Sequence, residues 1–265
     1  QEEQGLFHLG RGMKVGAHVP SASPLAEAEA RQADLVQVFL SNPQSWKKPA
    51  PRDDAAELKS SPVPIYVHAP YLINVCADNN RVRIPSRKIL QDTCDAASEI
   101  DAAGVVVHGG HVTGDGPQEE GIDRWRKALD ATDTNMRILI ENTAGGDKAV
   151  ARRVDWIGKL WEEIGGYDVG FVLDTCHSWA GGEPFDELVE RVVAHTGGID
   201  LLHVNDSKDP FDSRRDRHEN IGDGEIPLDA LAKTILDADA PVVVETPGGA
   251  DEQRADIEWV RSLAG

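Results

Sequence analysis

Eight short apolar runs rich in β-branched residues punctuate this 265-residue chain, and they constrain its fold more than any other feature. They are KVGAHV (14–19), LVQVFL (35–40), PIYVH (64–68), GVVVH (104–108), RILIE (137–141), VGFVLD (169–174), IDLLHV (199–204) and PVVVE (241–245). Runs so continuously apolar are expected to be buried on both faces, the condition of strands in a parallel sheet. Helical patterns fill the intervals. SPLAEAEARQA offers Ser23 as N-cap and Pro24 at the first helical position. The pattern over 85–104 keeps helical spacing and closes on Gly104, and that over 145–166 ends on a glycine pair. Segments 118–133, 183–196, 227–238 and 251–264 complete the alternation. Eight β-then-α units with no compositional break predict an α/β fold, a single-domain (β/α)8 TIM barrel over residues 13–265. An open doubly wound sheet is the competing layout, but no Gly-rich phosphate fingerprint follows the first strand. Residues 1–12, QEEQGLFHLGRG, read as an N-terminal extension or cloning remnant; with neither a basic start nor an apolar core, they do not read as a signal peptide.

The ends of the strands carry the chemistry. In such a barrel, functional side chains sit at the C-terminal ends of strands and in the loops that follow. Five strands close on His68, His108, Glu141, Asp174 and Glu245, and a sixth carries His203 just before its end. One histidine closing an apolar strand is ordinarily a satisfied core residue. Six strand ends of ligand type predict convergence on one central volume. Two further motifs add His177, in DTCH, and Asp216 with His218, in DRH. The three-residue step in DTCH places Asp174 and His177 at the turn leaving their strand. An extended backbone through DRH puts Asp216 and His218 on one side and Arg217 on the other. Alone, such a D-x-H is most simply a charged loop, and the neighbouring SKDPFDSRR (207–215) reads as a solvated connection. Five imidazoles and four carboxylates exceed the needs of one ion. They suit zinc, manganese or iron, and a bridging carboxylate lets nine donors serve three metals. Three divalent ions against four carboxylates leave a positive pocket, suited to a phosphate.

That local charge matters because the whole chain has a formal net charge of −19. Bulk affinity for nucleic acid comes from Lys and Arg, so indiscriminate binding to a polyanion is excluded. No apolar stretch reaches membrane-spanning length. Cys76, Cys94 and Cys176, an odd number without C-x-x-C spacing, point to a reducing compartment, the cytoplasm.

The motifs GAHV, HAPYLIN, ENTAG, DTCH, HVNDSK, DRHENIG and VETP, in that order from just after Met13 almost to the C-terminus, resemble the endonuclease IV family of abasic-site endonucleases. The resemblance implies a TIM barrel holding three divalent ions, usually Zn2+, with Mn2+ or Fe2+ as alternatives. Glu141 would bridge two ions. His68 and His108 would complete the first set, Asp174, His203 and Glu245 the second, while His177, Asp216 and His218 would hold the third. The implied partner is double-stranded DNA containing abasic sites. The implied reaction, a step of base excision repair, hydrolyses the phosphodiester 5′ to the lesion and leaves a 3′-hydroxyl and a 5′-deoxyribose phosphate. Metals about 3.5–4 Å apart make water nucleophilic near neutral pH and stabilise the departing oxygen, so no side-chain nucleophile is nominated. Cys176, between two ligands, is assigned to packing. A monomer suffices.

DNA contacts rest on the same resemblance. Tyr71 and Asn74 match positions near the lesion, where flipping is cheap because a base is already missing. Gln44 departs from the pattern: well-known members place there an arginine that enters the duplex. Lys47, Lys48, Arg81, Arg83, Arg87 and Lys88 offer backbone contacts, as does Arg217. His18 and His111 match no ligand and stand as candidates for supporting the ligands or touching substrate. Two rivals remain. A xylose-isomerase-like sugar isomerase or epimerase uses one or two ions at similar strand ends but has no use for a third set. A non-catalytic binder of damaged DNA would have no reason to keep the ligands intact.

Overall fold

The computed structural model describes residues 12–265, so the expected extension over residues 1–12 lies, apart from Gly12, outside the described residues. Ten strands are found among them: β1 (Val15–His18), β2 (Val36–Val38), β3 (Ile65–His68), β4 (Gly104–His108), β5 (Ile138–Glu141), β6 (Val169–Asp174), β7 (Leu201–Val204), β8 (Asp206–Ser207), β9 (His218–Glu219) and β10 (Val242–Val244). All but β8 and β9 close into a parallel barrel in the order β1-β10-β7-β6-β5-β4-β3-β2. The eight apolar runs are these eight barrel strands, each trimmed by at most two residues at either end. β8 and β9 form a two-stranded antiparallel ribbon of their own.

The strands alternate with period two. Val105, Val107, Ile138, Ile140, Phe171 and Leu173 face outward into the helical layer. Leu35, Val106, Leu139, Val172, Leu201 and Val243 face inward, with Tyr66 packed against them, and plug the barrel below its mouth. Two inward glycines make room for that plug. A Cβ on Gly16 would lie 1.7 Å from the Leu35 carbonyl oxygen, and one on Gly104 would lie 2.8 Å from Leu139 Cδ1.

Among the described residues nine helices surround the barrel: α1 (Pro24–Arg31), α2 (Ala55–Ser60), α3 (Asn80–Glu99), α4 (Glu119–Ala131), α5 (Val154–Ile164), α6 (Thr175–Ala180), α7 (Leu188–Thr196), α8 (Leu228–Ala238) and α9 (Ala250–Ser262). Several boundaries differ from the sequence pattern. Pro24 opens α1 as expected, but the Ser23 side chain makes no capping bond. α3 starts earlier, at Asn80, because the Asn79 side chain accepts from Arg81 N and caps it, which leaves Pro85 inside the helix. The chain after α3 turns on Asp101, at φ 53°, while Gly104 opens β4 instead of closing the helix. The short helices α2 and α6 carry no long amphipathic period to announce them. No helix among the described residues is long and apolar enough to cross a membrane.

Candidate metal centre

Two positions above the apolar plug, the inward phase of each barrel strand presents a polar residue. In chain order these are His18, Gln37, His68, His108, Glu141, Asp174, His203 and Glu245. Register sets His108 beside Glu141 and Asp174 beside His203. The ring is therefore a consequence of pleat and stagger. Side chains two residues apart share a face, and in a barrel that face turns inward.

Glu141, 1% exposed, is the hub. Its Oε2 lies 3.1 Å from His68 Nε2 and 3.3 Å from His108 Nε2. Its Oε1 lies 3.1 Å from His177 Nδ1 and 3.2 Å from His203 Nδ1. His203 Nδ1 also approaches Glu245 Oε1 (3.1 Å) and Asp174 Oδ2 (3.7 Å). The donor atoms of His68, His108 and Glu141 thus converge in one group, and those of Glu141, Asp174, His203 and Glu245 in a second that shares Glu141.

The remaining donors come from outside the barrel wall. Asp174 caps α6, accepting from His177 N at 2.9 Å, and the helix swings His177 over the mouth. His218 enters through the ribbon, where it pairs with Ser207. Asp206, fully buried on the facing strand, anchors the loop after β9 by accepting from Ser207, Gly222, Gly224 and Ile226 N. Asp216 then sits between two rings, Oδ2 3.0 Å from His177 Nε2 and Oδ1 2.9 Å from His218 Nε2. Asp174 also comes within ligand distance of His177 and His218.

Outer hydrogen bonds set the tautomers. His68, His177 and His218 each donate Nδ1–H to a carbonyl that can only accept, those of Ala69 (2.6 Å), Asn142 (2.8 Å) and Glu245 (3.0 Å). Each therefore turns a bare Nε2 inward, the usual arrangement of metal-binding imidazoles. His177 Nε2 and His218 Nε2 are buried and make no hydrogen bond, although Asp216 lies at hydrogen-bond distance from both. Distance without alignment is what shared coordination requires, and a buried polar atom left without a partner is costly.

Charge supports the same fit. Burial pushes the carboxyls up, yet His203 and His108 hold Glu141, and His203 holds Glu245, well below the carboxylate range. Burial likewise opposes protonation of His177 and His203, but Asp174 and Asp216, and Glu245 and Glu141, raise them well above the usual imidazole value. His218 rises to about 9 against burial, through Asp216, Asp174 and Glu245. Four carboxylates packed this closely need positive charge, and without ions protons supply it. The donor set fits divalent metal binding.

Other expected site residues divide. Tyr71 is 53% exposed, with its ring 5.7 Å from His68 and 5.8 Å from His108; partial desolvation over the site and the Glu245, Asp216 and Glu141 carboxylates push its hydroxyl up to about 12. Asn74 spends most of its amide on loop structure: Oδ1 accepts from Cys76 N and His111 N, and Nδ2 donates to His111 O. His111 is exposed at the rim, bridged to Ala149. Gln44 is exposed on the loop after β2. The guanidinium fork of Arg217 is taken by Asp209. Arg83 is likewise turned to the Ala77 and Asp78 carbonyls. Cys176 is buried beside Asp216 and His218, and burial pushes its thiol far up, which keeps it protonated.

One expectation needs correcting. The segment 207–215 is more than a solvated connection, because it is pinned to α6: Trp179 Nε1 donates to Asp209 O, and Asp212 N and Arg214 N donate to Trp179 O and Ala180 O. Sequence reading also passed over residues that the fold brings in. Trp46 and Arg214 line a cavity of about 530 Å³ over the centre, together with Tyr71, His108, His177 and Asp216. Buried Asn205 donates to Asp174 Oδ2 (3.1 Å) and Glu245 Oε1 (3.3 Å). Gln37 and Asn205 share inward or mouth positions with the ligands, and strand phase alone would have found Gln37.

Residues 25–263 match the family described as the xylose isomerase-like TIM barrel. The chain is 57% identical over 254 residues to a probable endonuclease 4 of Mycobacterium tuberculosis, covering 96% of this chain and 100% of the relative. It is 57% identical over 244 residues to that of Mycobacterium leprae, with 92% and 96% covered. The chain belongs to the endonuclease IV family. Among solved structures, endonuclease IV from Thermus thermophilus matches with a TM-score of 0.81 and 27% identity, covering 94% of this chain and 98% of that one. A D-tagatose 3-epimerase-like protein, at 20% identity and TM-score 0.76, covering 95% and 97%, shares the fold. A shared barrel does not by itself set the function.

Proposed function

We propose that this endonuclease IV family member is a DNA repair hydrolase that cuts the phosphodiester 5′ to an abasic site and leaves a 3′-hydroxyl and a 5′-deoxyribose phosphate. Its family makes it a nuclease acting on DNA; the bond, the products and a three-ion centre are our reading. One observation carries it. Asp216, His177 and His218 come together beside two strand-end groups that already share Glu141, and a sugar isomerase with one or two ions has no use for that added set.

His68, His108 and Glu141 would hold one ion, Glu141, Asp174, His203 and Glu245 a second, and His177, Asp216 and His218 a third. Zinc suits these donors, and manganese or iron is compatible. Bound ions would make water nucleophilic near neutral pH, offset the charge at phosphorus and stabilise the leaving oxygen. The protein's own groups do the rest. Backbone carbonyls fix the His68, His177 and His218 tautomers. Asn205 holds the Asp174 and Glu245 carboxylates in register. Tyr71, a neutral aromatic wedge over His68 and His108, is placed to fill space left in the base stack and to shield the mouth from water. Asn74 acts through the loops it staples, Trp46 and Arg214 line the cavity, and His111 and Gln44 stand at the rim. A duplex with one abasic-site analogue, incubated with protein of measured metal content, tests the reading. Close to three metals per chain and one nick 5′ to the lesion are expected. One metal and no nick would sink it.

A further inference from the structure

Gln37 is fully buried, lies on β2, and has no ligand chemistry of its own, yet three members of the ring meet on its amide. Glu245 Oε2 lies 3.0 Å from Gln37 Nε2, His18 Nδ1 lies 3.0 Å from the same nitrogen, and His203 Nε2 lies 2.8 Å from Gln37 Oε1. The orientation of this amide follows from chemistry. Glu245 as a carboxylate can only accept, so the amide nitrogen must face it. The amide oxygen is then left toward His203, and an oxygen can only accept, so His203 must carry its proton on Nε2. His203 accordingly turns a bare Nδ1 to Glu141, Asp174 and Glu245, the reverse of His68, His177 and His218. The second hydrogen of the amide nitrogen goes to His18 Nδ1, which must therefore be bare, and His18 carries its proton on Nε2. That N–H has no partner among the described residues, and His18 lines a cavity of about 700 Å³ with Arg31, Phe39, Asn42, Gly248 and Gln253.

We propose that Gln37 is a positioning residue that fixes two tautomers at once. It presents His203 Nδ1 to the metal centre and His18 Nε2–H, as a hydrogen-bond donor, to an oxygen of substrate entering the cavity beside it. The inference rests on the metal-centre reading of the site. A residue that merely filled the barrel mouth would leave both tautomers free, since an imidazole without a partner interconverts readily. The reach is also specific. β7 and β2 are separated by β10 and β1 around the barrel, so the Gln37–His203 bond spans the mouth and ties the second ligand group to the cavity on the other side.

Long-range 1H–15N spectra of labelled protein read imidazole tautomers directly. In the zinc-loaded protein, and in the metal-free protein at alkaline pH, His203 and His18 should both show the proton on Nε2. In metal-free Gln37→Leu at the same pH both should become mixtures, and zinc affinity at the second group should fall about 10–100-fold, the usual effect of losing a partner to a ligand. Gln37→Glu separates the two arms. Its carboxylate still accepts from His203, which keeps Nε2–H, but has no hydrogen for His18, which should switch to Nδ1–H. A wild-type His203 protonated on Nδ1 would overturn the proposal, as would unchanged tautomers and zinc affinity in Gln37→Leu. Should Gln37→Leu not fold, the wild-type spectra and Gln37→Glu decide. Correct tautomers in a protein that takes up no metal would sink the metal-centre reading and leave this assignment standing.

Discussion

His218 is the residue on which the third donor set turns, and its environment makes two outcomes specific. Its Nδ1 is tied to the Glu245 carbonyl and its Nε2 faces Asp216, so removing the ring deletes a donor while leaving the barrel wall untouched. His218→Ala should reduce bound metal from about three ions to about two and slow nicking at least about 100-fold, with an unchanged circular dichroism spectrum. Full activity would show that the third set does nothing. The second outcome concerns protons. His218 is raised from 6.5 to about 9, so in metal-free protein its charge attraction to Asp216, Asp174 and Glu245 contributes stability that is fully present below pH 6.5 and lost as pH rises through about 9. His177 and His203, raised by the same carboxylates, act in the same direction. The melting temperature of chelated protein should therefore fall between pH 7 and pH 10, whereas zinc-loaded protein, whose ions replace those protons, should change little over that range. Parallel pH profiles for the two forms would argue against ions occupying this cluster.

At the scale of elements, the ribbon β8–β9 is what the eight barrel strands do not supply. It is only two residues long on each side, too short to persist alone, and Asp206 secures it by accepting four backbone N–H groups. Asp206→Ala would leave those donors without their charged acceptor, at a cost of about 2–4 kcal/mol by the usual worth of such bonds. The loss should be local: faster amide exchange over 216–226 and a depleted third ion, with β1–β7 protected as before. Exchange raised equally across the barrel would mean that the ribbon is part of the global core. The same element shows why legibility was uneven. Barrel strands announce themselves, because burial on both faces demands continuous apolar residues, and their terminal ligands stand out against that background. Asp216 and His218 were legible as donors from DRH. Their support was not, since the ribbon and α6 are held by side-chain acceptors and caps with no periodic pattern. The seam of 207–215 against Trp179 is a matter of tertiary contact, so a charged string there looked solvated. Gln37 was hidden by its type: an amide in an apolar run signals nothing until strand phase puts it in the ring with His68 and Glu141.

For the whole molecule the question is how a protein of formal net charge −19 engages a polyanion. Several of its surface bases are already paired with acids, while exposed Lys47, Lys48 and Arg81 make no salt bridge among the described residues. Arg217 is paired with Asp209, Arg124 with Asp78 and Glu120, and Arg214 with Asp212 and Asp147. Without ions the site keeps a small negative balance, since Glu141, Asp174, Asp216 and Glu245 outnumber the protonated His177, His203 and His218 that offset them. Three divalent ions would reverse that sign where the scissile phosphate must sit, so attraction should be local and conditional on loading. Two consequences are measurable by fluorescence anisotropy with a duplex carrying an abasic-site analogue. Chelated protein should lose most of its affinity, because protons on the imidazoles only offset the carboxylates and leave no net positive charge for the phosphate. Loaded protein should bind with a shallow salt dependence, since log K falls with log salt in proportion to the phosphates neutralised by Lys and Arg, and of the bases proposed to contact DNA, Arg217 is already held by Asp209 and Arg83 by backbone carbonyls. A slope corresponding to about four phosphates or fewer is expected. A slope near ten, or equal affinity with and without metal, would mean that a basic surface carries the binding, and the acidic balance of the chain would then need another explanation.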